Sequence, residues 1–388
     1  MSRGIEVSVA PDVLKWARES SGCSIEEAAR RVGMPSSVLS HLEHERSTIK
    51  LSDLRKLAEY FKRPLGAFLL ATPPTEPKGP PDFRILPGQR HSFERDTRLA
   101  IRKIARLRGV AAELMTSLDH QASPQLASAK LSDSPAQIAQ RERASLQAST
   151  EIQLAWQTDR QAYRWWRSTV EGKNILVFQV RTPVEDARGF SFSDGSPFAI
   201  AVSSADAVRA RCFTLFHEYA HLLLRTSGIC LPGREPKSKS SEASVERWCD
   251  QFAGELLVPP EALHEFVGDA FHRDPNGSIV EVLGGSSRSF KVSEQVILWR
   301  MLDLNWITKA MFRREMTRLQ KLMKKRTGGG GQFSVSGKVL NENGRLFTSL
   351  VLEARGRNLI DYSDVSDYLS VNLKYFAEVR SSLSHAAA

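Results

Sequence analysis

The chain has 388 residues, 41% hydrophobic and 25% charged, which is typical of a soluble globular protein of two or three domains. It contains no uncharged apolar run of the roughly 18 residues that a membrane helix needs, so we expect no membrane partner. The N-terminus lacks the pattern of a signal peptide, and the four cysteines show no C-x-x-C spacing. We therefore expect a cytoplasmic protein without a disulfide scaffold.

The net charge of +10 is concentrated in two segments. Residues 84–108 carry eight Lys/Arg against two acids, and residues 300–326 carry nine against two. Basic helical segments can bind nucleic acid, but they are also common on solvated surfaces, and composition leaves both interpretations open.

Residues 9–70 predict a compact unit of about five helices. Ser24 and Glu27 are spaced as a capping box at the start of the second helix. Gly33 follows that helix and predicts a tight turn, while Ser52 is expected to cap the fourth helix.

Two of these helices, joined by the glycine turn, predict a helix-turn-helix that binds DNA. The second helix of the pair offers polar side chains to base edges or phosphates. These are Ser36, Ser37, Ser40, His41 and His44. The alternative is a plain helical bundle whose serines only cap helices and contact solvent, and the pattern alone does not separate the two.

A proline-rich stretch that begins at Pro73 predicts a linker. A basic helix over about 92–118 and a mobile loop over 120–137 follow. Helical patterning returns over 139–170, with a tryptophan stripe that we assign to the core. Three short apolar strands are then predicted in "NILVFQV", "GFSFSD" and "PFAIAVS", and the last leads directly into an apolar helix.

That helix, "RCFTLFHEYAHLLL", carries His217, Glu218 and His221 in an otherwise apolar run. In H-E-x-x-H the two histidines lie on one helical face and can bind the same cation. Glu218 lies beside that cation and can take a proton from an attacking water and return it to a leaving amine. Two histidines leave zinc short of the third protein ligand that catalytic sites use.

The next helix, "SVERWCDQFAGELLVP", supplies Glu246 and Asp250, again one turn apart. Glu246 can complete the metal site, and Asp250 can accept the N–H of a ligating histidine and so fix its tautomer. We expect Zn²⁺, with Mn²⁺ as the alternative metal. Buried histidines that bond only to carbonyls are the other interpretation, but burying these groups without a cation costs several kcal/mol.

Other metal-binding side chains lack the right spacing. Cys249 lies about 100° around the helix from Asp250, so we interpret it as a packed thiol. His264 and His272 lie in a polar stretch, and we interpret them as surface residues.

Together these segments resemble the ImmA/IrrE family of metallopeptidases. "FTLFHEYAHLLL" and "ERWCDQFAGELLVP" are similar to the two zinc-binding segments of the family, and "PPDFR" is similar to the linker of members with an N-terminal XRE-type domain. The resemblance implies a gluzincin-like fold in which His217, His221 and Glu246 hold zinc and Glu218 is the catalytic acid/base. It also implies a partner repressor, often of XRE type, as the substrate.

Two features depart from the family pattern. Tyr219 replaces the commoner leucine, at a position that is expected to pack. The C-terminal tail is too short for the GAF-like sensor of the radiation-response members, so radiation signalling is not implied here.

The predicted fold class is α+β: an all-α helix-turn-helix domain, a proline-rich linker, a gluzincin-like peptidase domain with a small sheet, and a small helical or mixed C-terminal region. The predicted divisions are 1–72 (XRE-type helix-turn-helix), 73–91 (linker), 92–150 (basic helical connector), 151–285 (zinc peptidase), 286–327 (helical, winged-helix-like) and 332–388 (C-terminal region).

The sequence leaves three functions open. The leading hypothesis is a cytoplasmic zinc endopeptidase that regulates transcription by cleaving an XRE-type repressor or an antitoxin, with DNA bound by the N-terminal domain and a homodimer as one expected state. The second is a DNA-binding regulator whose peptidase fold senses a partner with little proteolysis. The third is a component of a toxin–antitoxin pair.

Two further expectations concern the peptidase domain. The strand "PFAIAVSS" is expected to hold the substrate backbone by strand addition. The polar loop 225–244 is expected to be mobile and to act as a lid, with a passive connector as the alternative.

Overall fold

The computed structural model describes residues 5–75, 93–226, 229–230, 241–273, 275–323 and 334–384. The chain divides into two compact units, Met1–Gly79 with Ile85–Ala105 and Pro80–Arg84 with Arg106–Ala388. Most of the predicted linker, the four glycines at 328–331 and the middle of the predicted lid lie outside the described residues. Across the described part of the chain, no helix has the length and apolarity to cross a bilayer.

The first unit is built on four helices, and a short 3-10 helix, Leu65–Leu69, follows them. The helices are α1 (Pro11–Ser20), α2 (Ile25–Val32), α3 (Ser36–His44) and α4 (Leu51–Phe61). The predicted capping box is confirmed: Ser24 accepts from the backbone of Glu27, whose carboxylate accepts from the backbone of Ser24. Gly33 has φ of 81°, as the predicted turn requires. The cap predicted at Ser52 is wrong, because α4 begins at Leu51 and its N-cap is Lys50, two residues before Ser52.

A two-stranded antiparallel ladder, which the sequence did not indicate, joins the segment before α1 to the segment between α3 and α4. It pairs β1 (Glu6–Val9) with β2 (Ser47–Lys50) and buries Val9 and Ile49. A buried ion pair between Arg18 of α1 and Glu43 of α3, with nitrogen–oxygen distances of 2.7 and 2.8 Å, fixes the orientation of α3.

A single helix, α5 (Arg95–Ser117), confirms the predicted basic helix and contains the boundary between the two units. The loop that follows it was expected to be mobile, and the structure corrects this. Its backbone donates from Gln125 to the carbonyl of Lys173 and from Ala129 to the carbonyl of Leu223, at 2.8 and 2.9 Å. Leu126 is also buried, so the loop is held against the core.

The larger unit contains a four-stranded sheet with the order β3-β5-β4-β6. Its strands are β3 (Ile175–Val180), β4 (Gly189–Phe192), β5 (Phe198–Ser203) and β6 (Ile229–Cys230). β3 runs parallel to β5, whereas β4 is antiparallel to both β5 and β6. Every residue of β3, β4 and β5 is buried, which explains why these strands are almost continuously apolar.

The strand order overturns one expectation. β5, the strand in "PFAIAVSS", pairs with β3 on one side and with β4 on the other. Both of its backbone edges are therefore occupied, and it cannot accept a substrate strand.

A series of helices packs with this sheet to form the main core. They are α6 (Pro135–Ser145), α7 (Thr150–Leu154), α8 (Asp159–Glu171), α9 (Val208–Leu223), α10 (Ser241–Leu257), α11 (Pro260–Arg273), α12 (Pro275–Phe290), α13 (Glu294–Asp303) and α14 (Lys309–Met323). The tryptophan stripe lies in this core as predicted: Trp156, Trp165 and Trp166 contact one another, and Trp166 packs edge-on against Phe216 of α9.

Four C-terminal helices complete the larger unit. They are α15 (Val335–Asn343), α16 (Arg345–Gly356), α17 (Tyr362–Leu369) and α18 (Phe376–Ser384). Phe347 of α16 packs against Phe178 of β3, and Arg167 of α8 donates to the carbonyl of Asn341 at 2.6 Å. The C-terminal region therefore belongs to the same compact unit as the sheet.

The finer divisions of the chain stay predictions. The two compact units divide at Ala105–Arg106, and the predicted boundaries at 150, 285 and 327 fall within the larger unit. The described part of the winged-helix-like segment, residues 286–323, is helical and contains no strand.

Candidate metal centre and DNA-binding helix

The predicted metal ligands come from two helices that pack against each other. α9 follows β5 after a short turn and rests on β4 and β5, while α10 packs along its other side. His217, Glu218 and His221 of α9 are fully buried, and Glu246 of α10 is 5% exposed. These polar side chains are thus held inside the core by the apolar residues around them.

Three of these side chains converge on one point. His217, His221 and Glu246 each offer a ligand atom within 4.8 Å of the others. The two Nε2 atoms lie 3.2 Å apart, and each lies 3.4 Å from a different oxygen of Glu246. Within the described residues, this is the one group of three or more potential ligands close enough to hold a metal.

The outer nitrogen of each imidazole has an oxygen partner. Nδ1 of His217 lies 2.8 Å from Oδ1 of Asp250, and Nδ1 of His221 lies 3.2 Å from the hydroxyl of Thr226. In the tautomer in which Nδ1 carries the proton, both imidazoles donate outward. Their Nε2 lone pairs then point at each other and at Glu246.

This arrangement fits a zinc ion. Tetrahedral zinc with bonds of about 2.0–2.1 Å places its ligands about 3.3–3.4 Å apart. The two Nε2 atoms are 3.2 Å apart and each is 3.4 Å from one oxygen of the Glu246 carboxylate, which is close to that value. Lone pairs of two imidazoles and a carboxylate repel one another at such distances, and a cation at their centre removes the repulsion.

The charge of Glu246 suits a ligand. Burial raises the pKa of Glu246, but its interactions with the neighbouring His217 and His221 outweigh burial and hold that pKa well below the usual range. The carboxylate is therefore ionised when it meets a cation.

Glu218 lies beside the cluster without belonging to it. Its Oε2 accepts a hydrogen bond of 2.7 Å from the hydroxyl of Ser191, on β4. Its Oε1 is buried and has no hydrogen-bond partner among the described residues. Burial raises the pKa of Glu218, and the nearby His221 and His217 oppose that rise.

A glycine allows α9 to lie this close to β4. A Cβ atom at Gly189 would lie 2.5 Å from Cγ2 of Thr214, 3.0 Å from the carbonyl oxygen of Ala201 and 3.3 Å from Cγ of Glu218. Since real Cβ atoms almost never approach within 3.0 Å, any larger residue at this position pushes the helix away from the sheet.

Tyr219 and Cys249 support the two helices. The ring of Tyr219 stacks on Phe252, and its hydroxyl donates to Glu142 at 2.7 Å. The departure from the family's leucine therefore adds a buried hydrogen bond. Cys249 is fully buried outside the metal cluster, in agreement with a packed thiol, and His264 is exposed.

The predicted DNA-contacting side chains lie on α3 as expected. Ser36, Ser37, His41 and His44 are exposed, and Ser40 is half-buried. The opposite side of the helix carries Leu39, Leu42 and Glu43 into the core. The polar face is therefore presented to solvent.

Sequence reasoning missed Ser191 and Thr226. A serine between two phenylalanines in a buried strand was the available signal for Ser191, since a buried hydroxyl needs a partner. Thr226 lies just beyond the end of α9, where its backbone and hydroxyl bond to the carbonyl of His221.

Two histidines one helical turn apart, a glutamate from a neighbouring helix and a second glutamate beside them are the arrangement that metallopeptidases use. Residues 170–302 match the family model described as the IrrE N-terminal-like domain, peptidase family M78. Residues 14–68 match a helix-turn-helix family model. No curated protein matches the chain. The chain thus contains an IrrE-like metallopeptidase-family domain preceded by a helix-turn-helix domain, which confirms the resemblance drawn from the sequence.

Proposed function

We propose that the protein is a zinc-dependent endopeptidase that is directed by its helix-turn-helix domain. In this proposal His217, His221 and Glu246 hold the metal, Glu218 is the acid/base and Asp250 orients His217. The convergence of the three side chains, with the two Nε2 atoms 3.2 Å apart and each 3.4 Å from an oxygen of Glu246, is the observation that carries the proposal.

A bound zinc ion supplies a Lewis acid that activates water and polarises the scissile carbonyl. Glu218 takes the proton of the attacking water and delivers it to the leaving amine. The raised pKa of Glu218 favours this role, because a carboxylate with a higher pKa is a stronger base and accepts the proton of water more readily. Asp250 and Thr226 keep both imidazoles in one tautomer and orientation.

The substrate in this proposal is a regulatory protein, an XRE-type repressor or an antitoxin, in the cytoplasm. Support comes from the combination of an IrrE-like domain with a DNA-binding helix-turn-helix in one chain. The DNA-binding domain would bring the peptidase to operator sites, where repressors are bound. Manganese stays the alternative metal.

The test begins with metal analysis of the full-length protein by mass spectrometry. About one zinc per chain is expected in the wild type and in Glu218→Gln, and little in Glu246→Ala. Cells that produce the wild type or Glu218→Gln are then compared for new protein N-termini, since the near-isosteric glutamine cannot accept a proton.

New termini in a repressor or antitoxin that appear with the wild type alone support the proposal. A metal-loaded wild type that yields no more new termini than Glu218→Gln favours the second hypothesis, a regulator that binds its partner without cutting it. A wild type without bound metal would refute the metallopeptidase assignment altogether.

A further inference from the structure

Ser191 has a polar side chain and is not one of the candidate metal ligands. It lies in the middle of β4, between Phe190 and Phe192, and is fully buried. Its hydroxyl donates to Oε2 of Glu218 at 2.7 Å, the length of a strong hydrogen bond to a carboxylate. A buried strand therefore holds one oxygen of the glutamate in place.

The other oxygen of Glu218 is in a different environment. Oε1 is buried and lacks a hydrogen-bond partner in the described part of the chain. Leaving such an atom unsatisfied destabilises the fold, so its presence in a native structure needs an explanation such as a catalytic role. The carboxylate thus has one oxygen fixed by the sheet and one available to a reactant.

The backbone around Ser191 is built for this contact. Gly189, two residues earlier on β4, has no Cβ and so lets α9 approach the strand. Ser191 of β4 is paired with Ile200 of β5, and this register fixes the position of the serine hydroxyl relative to α9. The donor is therefore supplied by a rigid element, which positions a side chain more accurately than a loop does.

We propose that Ser191 is a positioning residue that orients the carboxylate of Glu218 so that Oε1 faces the reacting water and the leaving amine. The proposal rests on the endopeptidase function proposed above and assigns a role to a residue outside the H-E-x-x-H segment. Small displacements of an acid/base group cost up to about a hundredfold in rate. The hydroxyl therefore affects turnover rather than substrate affinity.

A purely structural role for Ser191 is the competing explanation, and the chain offers a matched control. Ser203, on β5 of the same sheet, is also fully buried and donates to the carbonyl of Thr182 at 2.8 Å. Ser203→Ala removes a buried hydroxyl of equal burial without touching Glu218. Any effect of Ser191→Ala that Ser203→Ala also produces is a general effect on the sheet.

The experiment uses the full-length protein in five forms: wild type, Ser191→Ala, Ser191→Thr, Ser203→Ala and Glu218→Gln. Metal content and unfolding temperature are measured first, and Ser191→Thr, which restores the hydroxyl, is compared at equal metal content.

Each form is then loaded with Co²⁺, and binding of acetohydroxamate is followed by visible absorption. A hydroxamate chelates the metal and gives its proton to the neighbouring carboxylate, so its affinity reports the orientation of Glu218 without any substrate. Where a cleaved partner is known, kcat and KM are measured on it.

We expect Ser191→Ala to keep the metal, to bind acetohydroxamate about tenfold more weakly, and to lower kcat by about tenfold to a hundredfold with KM unchanged. Ser191→Thr should recover most of both losses, and Ser203→Ala should match the wild type. Equal hydroxamate affinity in metal-loaded Ser191→Ala and wild type overturns the positioning role while leaving the endopeptidase proposal intact. Absence of metal from the wild type overturns both.

Discussion

Nδ1 of His217 lies 2.8 Å from Oδ1 of Asp250, although 33 residues separate them and they belong to different helices. The side chain of His217 is fully buried, whereas that of Asp250 is about half exposed. A surface carboxylate thus reaches the back of a buried imidazole and fixes which nitrogen faces Glu246.

This contact predicts a graded effect on metal binding. Asp250→Ala should weaken zinc affinity by about 10–100-fold without abolishing it, because the three ligands remain. Competition with a chromogenic chelator measures the change.

Asp303 provides the control for that experiment. It lies close enough to interact electrostatically with Asp250, and burial raises the pKa of Asp303. Asp303→Ala therefore removes a neighbouring carboxylate without touching His217, and zinc affinity should stay within about twofold of the wild type. Equal losses in the two variants would show that local charge, rather than the contact with His217, is responsible.

The sequence predicted that the candidate ligands lie together because the relevant spacing is local. Residues one turn apart share a helical face, so H-E-x-x-H and the pair Glu246 and Asp250 each define a face without knowledge of the fold. The same reasoning correctly located α3 and its polar face, since caps and glycine turns act over a few residues.

Features that depend on strand order could not be predicted from the sequence. The expectation that β5 binds substrate failed, because periodicity shows that a strand is buried but not which neighbours it pairs with. Ser191 was missed for a related reason: its partner, Glu218, is 27 residues away, and the contact depends on the register of β4 against β5. The polar composition of the loop after α5 predicts a mobile segment. Its backbone hydrogen bonds to the carbonyls of Lys173 and Leu223 nevertheless hold it in place.

Metal binding should stabilise the larger unit in the absence of any substrate. Adding zinc at about 100 times its dissociation constant to chelator-treated protein supplies about 2.7 kcal/mol of stabilisation. For a unit of this size, that corresponds to an increase of roughly 5 °C or more in unfolding temperature, measured by calorimetry. His221→Ala should abolish the increase.

His264 is the matched control, because it is an exposed histidine of α11 outside the metal cluster. His264→Ala should retain the full zinc-dependent increase. If both histidine variants lost it, the stabilising metal would have to bind elsewhere or at several histidines.

The close approach of α9 to β4 predicts a strong effect at Gly189. Gly189→Ala places a Cβ 2.5 Å from Thr214 and 3.0 Å from the carbonyl oxygen of Ala201, so the helix has to shift. Such overpacking costs about 1–3 kcal/mol, measured by urea unfolding, and zinc affinity should fall because His217 and His221 move with the helix.

Gly109 of α5, also in the larger unit, gives the opposite expectation. It is exposed, and a Cβ there meets nothing within 4 Å. Gly109→Ala should stabilise by about 0.5–1 kcal/mol, since alanine favours a helix interior, and leave zinc affinity unchanged. A destabilising effect of similar size in both variants would contradict the assignment of the cost to the contact between α9 and β4.

The last prediction concerns the polar face of α3. Ser37 is exposed on this helix, and α3 contains no lysine or arginine. If α3 contacts DNA as proposed, it does so without a lysine or arginine, so a single added negative charge there should repel phosphates strongly. Ser37→Glu should weaken binding to an operator selected from random DNA by about tenfold or more, whereas Ser8→Glu, which adds the same charge on β1, should have a much smaller effect. Binding is measured by fluorescence anisotropy between 50 and 200 mM salt.

The affinity of the wild type for DNA should fall steeply over that interval, because phosphate contacts release counterions. A truncation after residue 75 should bind DNA more weakly than the full chain, because residues 1–70 carry a net charge of only +2. Equal losses from Ser37→Glu and Ser8→Glu would mean that overall charge, rather than the face of α3, determines binding.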